Sequence, residues 1–171
     1  MTDQTQFIRP ERASDIPAVE ALQAAAFGPG AYTRAAFRVR EQADHDPGLS
    51  FVVEHDGALI ASVWLTPVRV GADRGTLLGP LVVQPEYKSM GFGRALMHHC
   101  LAAAKHAGCP FVVLVGDAPY YGQFGFVPLS IQRVQMPGPV DPARLLVAEL
   151  EPGVAARLQG MVVGDAEGRP R

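Results

Sequence analysis

The sequence predicts a single α/β domain built on a central mixed sheet, mostly antiparallel, with flanking helices. Three observations carry this prediction. Apolar, β-branched runs separated by short glycine-containing turns occupy residues 49–83 and predict an antiparallel meander. A glycine-rich loop then leads into a helix-forming segment, and a fully apolar run at 111–115 follows that segment. A strand, a helix and a buried strand in this order form a βαβ unit, whose two strands lie parallel.

Length and composition limit the class of protein. The 171 residues fit one domain that buries about two-thirds of its unfolded surface, so no disulfide or metal is needed for stability. The 15 basic and 17 acidic side chains give a net charge of −2, which does not favour nucleic acid as the main ligand. The two cysteines, Cys100 and Cys109, do not have zinc-site spacing, and no metal site is predicted.

No segment of the sequence has the pattern of a signal peptide or a membrane span. The stretch Met1–Gln6 is polar, and no apolar run approaches the ~18 residues of a membrane-spanning helix. We therefore expect a soluble cytoplasmic protein that does not act at a membrane.

Two helices are expected before most of the sheet. After a short strand at Thr5–Arg9, Ser14 and Asp15 provide an N-cap for a helix whose apolar residues recur at helical spacing. Thr33 is the candidate cap of a second helix, which the Asp-Pro-Gly sequence at 46–48 ends.

Three strands then form the meander. Leu49–His55 and Ala58–Val70 flank the Asp-Gly pair at 56–57, a strong hairpin signal, and Thr76–Val83 follows a turn at 73–75. Within the third strand, the Gly-Pro pair at 79–80 weakens regular pairing, because proline has no N–H and glycine has no side chain to pack. The pair predicts either a β-bulge, where free backbone groups meet a ligand, or a simple edge strand.

The stretch after the third strand has the composition of an anion-binding loop. Gly91 and Gly93 stand where the loop becomes a helix, so N–H groups without helical partners and the positive end of the helix dipole face the same space. Two basic side chains, Lys88 and Arg94, flank the loop. The candidate phosphate-binding residues are Lys88, Ser89, Met90, Gly91, Phe92, Gly93 and Arg94.

Spacing distinguishes this loop from two other glycine loops. A P-loop needs Lys and then Ser or Thr after its last glycine, whereas Lys88 and Ser89 come before Gly91. A dinucleotide fingerprint needs a third glycine where Leu96 stands. Neither pattern fits, and from the loop alone a glycine turn without any ligand remains open.

A second motif follows the buried strand at 111–115. Asp117 and Pro119 predict the start of a short helix, and Gly125 predicts its end. Within this stretch, Tyr121 stands four residues before the Gly125-Phe126 pair. The neighbouring Tyr120 is expected to point elsewhere, because adjacent helical residues are rotated by about 100°.

The last part of the chain completes the predicted sheet. Val127–Met136 and Arg144–Glu151 are expected to pair as antiparallel strands around a proline-rich loop. The polar segment Gly164–Arg171 is expected to be a disordered tail, so the predicted domain spans residues 1–163.

The glycine loop and the tyrosine motif together resemble those of the GNAT superfamily of acetyl-CoA-dependent N-acetyltransferases. That family's loop has Gln or Arg, two residues, Gly, one residue, and Gly or Ala, and 88–93 fits it except that Lys88 replaces Gln or Arg. Tyr121, Gly125 and Phe126 match the family's Tyr and Gly-Phe pair. The resemblance covers roughly residues 7–150. It implies the single-domain acyl-CoA N-acyltransferase fold, with a splayed parallel pair formed by 81–83 and 112–115.

The resemblance also implies where the substrates bind. Acetyl-CoA would be the co-substrate, with its pyrophosphate on the glycine loop and its pantetheine arm beside Leu81, Val82 and Val83. A primary amine of a small molecule or a peptide would attack the thioester directly. Tyr121 would protonate the departing thiolate, since a phenol pKa near ~10 is close enough to a thiol pKa near ~8.5. A tyrosine packed in the core is the alternative for that residue.

Several questions stay open from sequence alone. No spacing singles out a general base among Glu41, Asp44, His45, Glu54, His55 and Glu149. A CoA-binding regulatory or interaction module without turnover, and a phosphate-binding protein of unrelated fold, are alternatives to the enzyme. The acceptor is expected to contact the variable segments Phe27–Pro47 and Pro137–Pro142, but its identity and the oligomeric state, a homodimer included, are left open.

Overall fold

The structure, a computed structural model, describes residues 7–28 and 35–167. Five α-helices and nine strands lie in these ranges. The helices are α1 (Ile16–Phe27), α2 (Ala35–Arg40), α3 (Phe92–His106), α4 (Ala118–Tyr121) and α5 (Val154–Arg157). The strands are β1 (Ile8–Pro10), β2 (Phe51–His55), β3 (Ala58–Val70), β4 (Asp73–Val83), β5 (Phe111–Val115), β6 (Val127–Pro128), β7 (Val134–Gln135), β8 (Leu145–Glu149) and β9 (Gly160–Gly164).

The strands form a mixed sheet in which most neighbours are antiparallel. Its main order is β1-β2-β3-β4-β5-β8-β6. Along this order β4 and β5 run parallel, whereas the other neighbours run antiparallel. β9 pairs antiparallel with the second half of β3 and parallel with β7. The mixed sheet with its central parallel pair confirms the predicted fold class.

The β2–β3 hairpin forms where the Asp-Gly pair predicts it. Asp56 and Gly57 have φ of 50° and 78°, the left-handed conformation that a two-residue hairpin turn requires. The next turn comes earlier than the sequence predicts, because Asp73 already pairs with Val70 and Gly71 provides the positive φ of 60°. β4 therefore starts three residues before the expected Thr76.

Helices cover both faces of the sheet. α3 packs on β2, β3 and β4, where its residues Leu96 and Met97 are buried. α2 and α5 lie on the other face, with Val39 and Val154 in a second apolar cluster. α3 ends just before Gly108, at φ 83°, as the sequence predicts. Within the described ranges, none of these helices is both long and apolar enough to cross a membrane.

The expected strand at 127–136 is two short strands with different partners. β6 pairs with β8 as predicted, but β7 pairs with β9. Between them the chain turns, because the N–H groups of Arg133 and Val134 both donate to the carbonyl of Ser130. A pattern of apolar residues over this length did not reveal the interruption, since the turn contains neither glycine nor proline.

The folded part of the chain extends beyond the predicted boundary at residue 163. Gly164 is the last residue of β9, and its N–H donates to the Gln42 side chain at 2.7 Å. Asp165 is 3% exposed, with its carboxylate beside Arg74. Other parts of the sequence predictions lie outside the described residues: Thr5 and Gln6 of the first strand, the candidate cap Thr33, and 168–171 of the tail.

Candidate functional site

β4 and β5 lie side by side at one end and separate at the other. Their parallel pairing joins Thr76 to Val112 and Leu77 to Val113. Beyond these positions the described strands have no further pairs with each other, although β4 continues to Val83. The sequence predicts the parallel pairing at 81–83. The structure instead has the pairing earlier in β4, so residues 81–83 belong to the splayed end.

The separation begins at a β-bulge in β4. The pairing of β3 with β4 shifts by one residue, so Trp64 of β3 stands opposite two residues of β4, Gly79 and Pro80. Gly79 has φ +125°, a conformation that other residues rarely adopt, and Pro80 has no N–H to pair. A bulge bends its strand, and β4 leaves β5 at this point. Of the two interpretations of the Gly-Pro pair, the bulge is correct.

The strand register shows which backbone groups of β4 face the gap. The N–H of Gln84 donates to the carbonyl of Ile60 at 2.8 Å, across the β3–β4 pair. In an antiparallel pair every second residue bonds to the same neighbour, so Val82 also faces β3. The N–H and C=O groups of Leu81 and Val83 therefore point to the opposite edge, toward the gap. These two residues offer backbone hydrogen bonds to a ligand, whereas Val82 does not.

The glycine loop follows β4 directly. A 3₁₀ turn at Pro85–Tyr87 leads to three residues with exposed side chains, Lys88, Ser89 and Met90. Ser89 has φ 65° and Gly91 has φ 91°, so the chain curves tightly before α3. These three side chains, which the sequence predicts to contact a phosphate, are therefore accessible to a phosphate group.

α3 begins with N–H groups that have no partner inside the helix. Its N-cap is Gly91, and the first helical hydrogen bond runs from Ala95 N–H to the Gly91 carbonyl, at 3.0 Å. The N–H groups of Phe92, Gly93 and Arg94 precede that bond, at the positive end of the helix dipole. This arrangement is suited to an anion. The Phe92 ring is 2% exposed in the core, so this residue can offer a ligand its N–H but not its side chain.

Two adjacent tyrosines of α4 line the same cleft, although the sequence predicts that Tyr120 points elsewhere. The Tyr121 ring covers Gly116, where an added Cβ would lie 2.4 Å from it. The Tyr120 hydroxyl lies 3.6 Å from the position of a Cβ on Gly93, so it reaches the start of α3. The two rings meet edge to face, with centroids 4.9 Å apart. Because adjacent residues of α4 are rotated from one another, the two side chains lie in different parts of the same cleft, and not on opposite faces of the helix.

Burial keeps both phenols protonated. It raises the pKa of Tyr121 to about 12, with a further rise caused by Tyr120 and a smaller opposing effect of the Arg144 charge. Burial also raises the pKa of Tyr120, which the charge of Arg94 lowers. A phenol with such a pKa is neutral at physiological pH, so Tyr121 can donate a hydrogen bond or a proton but cannot serve as the base.

A cleft of about 1560 Å³ lies over the splayed ends of β4 and β5. It exceeds the ~300–1,000 Å³ of a single small-molecule site, so the cleft has room for more than one small molecule. Both segments expected to contact the acceptor, Phe27–Pro47 and Pro137–Pro142, contribute lining residues to the cleft. Its aromatic and charged lining residues are Phe27, Phe37, Trp64, Tyr120, Tyr121, Glu20, Glu41, Asp117, Asp141, Arg40 and Arg144.

The structure brings residues into the cleft that sequence reasoning missed. Arg40 has its Nη1 3.8 Å from the position of a Cβ on Gly79, beside the bulge. Trp64 and Arg144 also line the cleft, and for neither did a spacing or motif indicate a role. Among the six residues considered as a general base, Glu41 lines the cleft and the other five do not.

Comparison with known proteins gives consistent matches over this region. A family model described as the acetyltransferase (GNAT) family matches residues 16–126, which include the glycine loop and the tyrosine motif. The uncharacterized N-acetyltransferase YjhQ of Escherichia coli strain K12 is 27% identical over 121 residues, covering 68% of this chain and 67% of YjhQ.

Two solved structures match over nearly the whole chain. A GNAT family N-acetyltransferase (YhbS) of Escherichia coli, crystallised in complex with CoA, is 26% identical with a TM-score of 0.74, covering 92% of this chain and 88% of that one. A GNAT family acetyltransferase of Brucella melitensis, in complex with acetyl-CoA, is 28% identical with a TM-score of 0.68, covering 93% and 95%.

Proposed function

Because the chain belongs to the acetyltransferase (GNAT) family, we propose that it transfers an acetyl group from acetyl-CoA to a primary amine by direct attack. Family membership confirms the resemblance predicted from the two motifs; the acetyl donor and the amine acceptor are the proposal. One observation carries it. The cleft over the splayed strands is lined by Leu81 of β4 and by Tyr120, and the Tyr120 hydroxyl lies beside Gly93 at the start of α3.

The donor would bind along this path. The N–H groups at the start of α3 suit its pyrophosphate, and the backbone of Leu81 and Val83 suits the amides of its pantetheine arm. Two relatives of known structure were crystallised with CoA or acetyl-CoA, which supports this assignment. The proposed donor-binding residues are Leu81, Val82, Val83, Lys88, Ser89, Met90, Gly91, Phe92, Gly93 and Arg94, with Val82 and Phe92 supporting the site from within the sheet and core.

The reaction would form a C–N bond and break the C–S bond of the thioester. The amine attacks the carbonyl carbon, and backbone N–H groups of β4 that face the gap stabilise the tetrahedral oxyanion. Tyr121 gives its proton to the departing sulfur, the proton that the amine loses goes to water, and the tyrosinate takes a proton back from the solvent. Because the proton returns, the pKa of about 12 does not add to the energy of the overall reaction.

The test is an assay of thiol release from acetyl-CoA with a panel of amines. We suggest L-amino acids, spermidine, kanamycin and a short lysine-containing peptide, with acetyl-CoA binding measured separately by calorimetry. We expect binding without any amine and thiol release that depends on one class of amine. Binding without turnover across the panel would favour a non-catalytic CoA-binding module. Failure to bind acetyl-CoA would contradict the proposal.

A further inference from the structure

Trp64 stands where β3 lacks regular partners on both edges. On one edge it faces the bulge of β4. On the other edge, pairing with β2 ends at Val63 and pairing with β9 begins at Val68. A side-chain bond from Leu65 N–H to Ser50 Oγ, at 3.1 Å, replaces one of the missing ladder bonds. The sheet itself therefore does little to hold the residue that lines the cleft opposite the bulge.

Two other side chains hold the indole of Trp64. The Glu11 side chain is 1% exposed, and one of its oxygens accepts the indole N–H at 2.7 Å. Its other oxygen contacts Nε2 of His45. The His45 ring stacks on the indole, with centroids 3.9 Å apart and 7° between the planes. Each of the three groups touches the other two, which leaves the indole little freedom to rotate.

Burying this cluster of Glu11, His45 and Trp64 costs more free energy than filling the same space with apolar side chains. A buried carboxylate loses much of its hydration, and apolar residues of similar volume often stabilise a fold as well as a buried polar cluster does. Of the three residues Trp64 lines the cleft, and none of them belongs to either of the two apolar clusters. The acetyl-transfer chemistry proposed above uses none of its three members.

We propose that Trp64 contacts the acceptor amine and determines its specificity, and that Glu11 and His45 are positioning residues for Trp64. This inference rests on the proposed function. The indole offers a flat, apolar and electron-rich surface. Such a surface fits an acceptor whose amine is attached to an aliphatic or aromatic body.

The positioning role can be measured without an acceptor, because Trp64 is the chain's only tryptophan and reports its own surroundings by fluorescence. Glu11→Leu removes both acceptor oxygens at similar volume, and Glu11→Gln keeps one for the indole N–H. We expect Glu11→Leu to shift the emission and increase quenching by acrylamide, and Glu11→Gln to stay near wild type. The control is Glu54→Leu, which removes an exposed carboxylate that accepts a hydrogen bond from Arg9.

The specificity role is measured by kinetics with the panel amine that the wild type acetylates best. Glu11→Leu should raise the KM for that amine about tenfold because it displaces the indole, and Trp64→Phe should do so because it replaces the indole with a smaller ring; tenfold corresponds to about 1.4 kcal/mol of lost contact with the acceptor. The kcat and the affinity for acetyl-CoA should stay within about twofold, and Glu11→Gln should restore most of the KM. If Glu11→Leu fails to fold, His45→Phe keeps a stacked ring and removes the contact with the carboxylate.

The outcomes separate the two roles from the proposed function. Unchanged Trp64 fluorescence in Glu11→Leu would show that Glu11 does not position the indole. Altered fluorescence with an unchanged KM would make the cluster structural and overturn the specificity role. If the wild type acetylates no amine of the panel, the specificity role fails together with the proposed function, while the fluorescence still decides whether Glu11 holds Trp64.

Discussion

The two halves of β4 differ in how completely their backbone is paired. In the first half Thr76 and Leu77 pair with both β3 and β5, whereas in the second half residues 81–83 pair with β3 alone. In the first half, Leu77 and Leu78 are buried in the two apolar clusters. In the second half, backbone groups of Leu81 and Val83 face a gap. One strand thus stabilises the sheet and offers a binding edge. Where the backbone is paired on both sides, no group is left for a ligand, whereas an open edge leaves N–H and C=O groups that a ligand can bind.

Two glycines illustrate the same difference. A Cβ on Gly75, beside the paired half, would lie 2.6 Å from the Phe111 ring, so this glycine is needed for packing. A Cβ on Gly93, beside the splayed half, would make only ordinary contacts, 3.5 Å from Val83 and 3.6 Å from the Tyr120 hydroxyl. In the free protein nothing excludes a side chain at Gly93, and under the proposed function the phosphates of the donor occupy this space.

The largest effect is expected from Gly93→Val. It should lower the affinity for acetyl-CoA at least ~100-fold, because the side chain would keep the phosphates from several charge-assisted hydrogen bonds. Calorimetry measures the affinity, and thermal unfolding should stay close to wild type. Gly91→Val is less informative, since φ 91° would strain any side chain. Gly122→Val, at φ −58° with open space around it, is the matched control. Wild-type affinity in Gly93→Val would exclude the loop from the site.

Tyr121→Phe should reduce kcat by ~10²-fold with little change in acetyl-CoA affinity, as for loss of a general acid. The pKa of about 12 keeps the phenol neutral, so the loss should be the same at every pH below about 11. Tyr120→Phe is the comparison, because its hydroxyl lies beside Gly93: it should weaken acetyl-CoA binding and largely spare kcat. An unchanged kcat in Tyr121→Phe would leave that tyrosine a packing residue.

In the paired half, Gly75→Ala should destabilise the protein by ~1–3 kcal/mol, because the added methyl group overlaps the Phe111 ring. Urea denaturation measures the loss, and the acetyl-CoA affinity of the folded protein should not change. Gly122→Ala, where nothing lies within 4 Å, controls for the general effect of replacing glycine. A loss of affinity in Gly75→Ala without a loss of stability would contradict the division of β4 into two roles.

The smallest effect is expected from Lys88→Ala. Its exposed ammonium adds a screened charge contact, so acetyl-CoA affinity should fall only about two- to fivefold, and more at low than at high salt. Lys105→Ala, in the last turn of α3, removes the same charge far from the loop and should leave the affinity unchanged. Equal effects of the two substitutions would show that Lys88 acts only through the net charge of the protein and does not contact acetyl-CoA.

Local sequence determined the parts of this protein that depend on neighbouring residues. The Asp-Gly hairpin and the glycine loop before α3 were predicted, and the Gly-Pro pair predicted either a bulge or an edge strand, because glycine and proline restrict or permit backbone angles wherever they stand. The βαβ unit followed from the order of apolar runs. These features were enough to predict the fold class and the family.

Tertiary structure decided what depends on residues far apart in the chain. Glu11 follows β1, His45 lies in the connection between α2 and β2, and Trp64 lies in β3, so no spacing relates them. The register of β3 against β4 decided that Leu81 and Val83, and not Val82, face the gap. The same packing brought Tyr120 beside Gly93 and made β7 pair with β9. Backbone propensity acts over a few residues, whereas register and side-chain packing depend on which distant segments meet across the sheet.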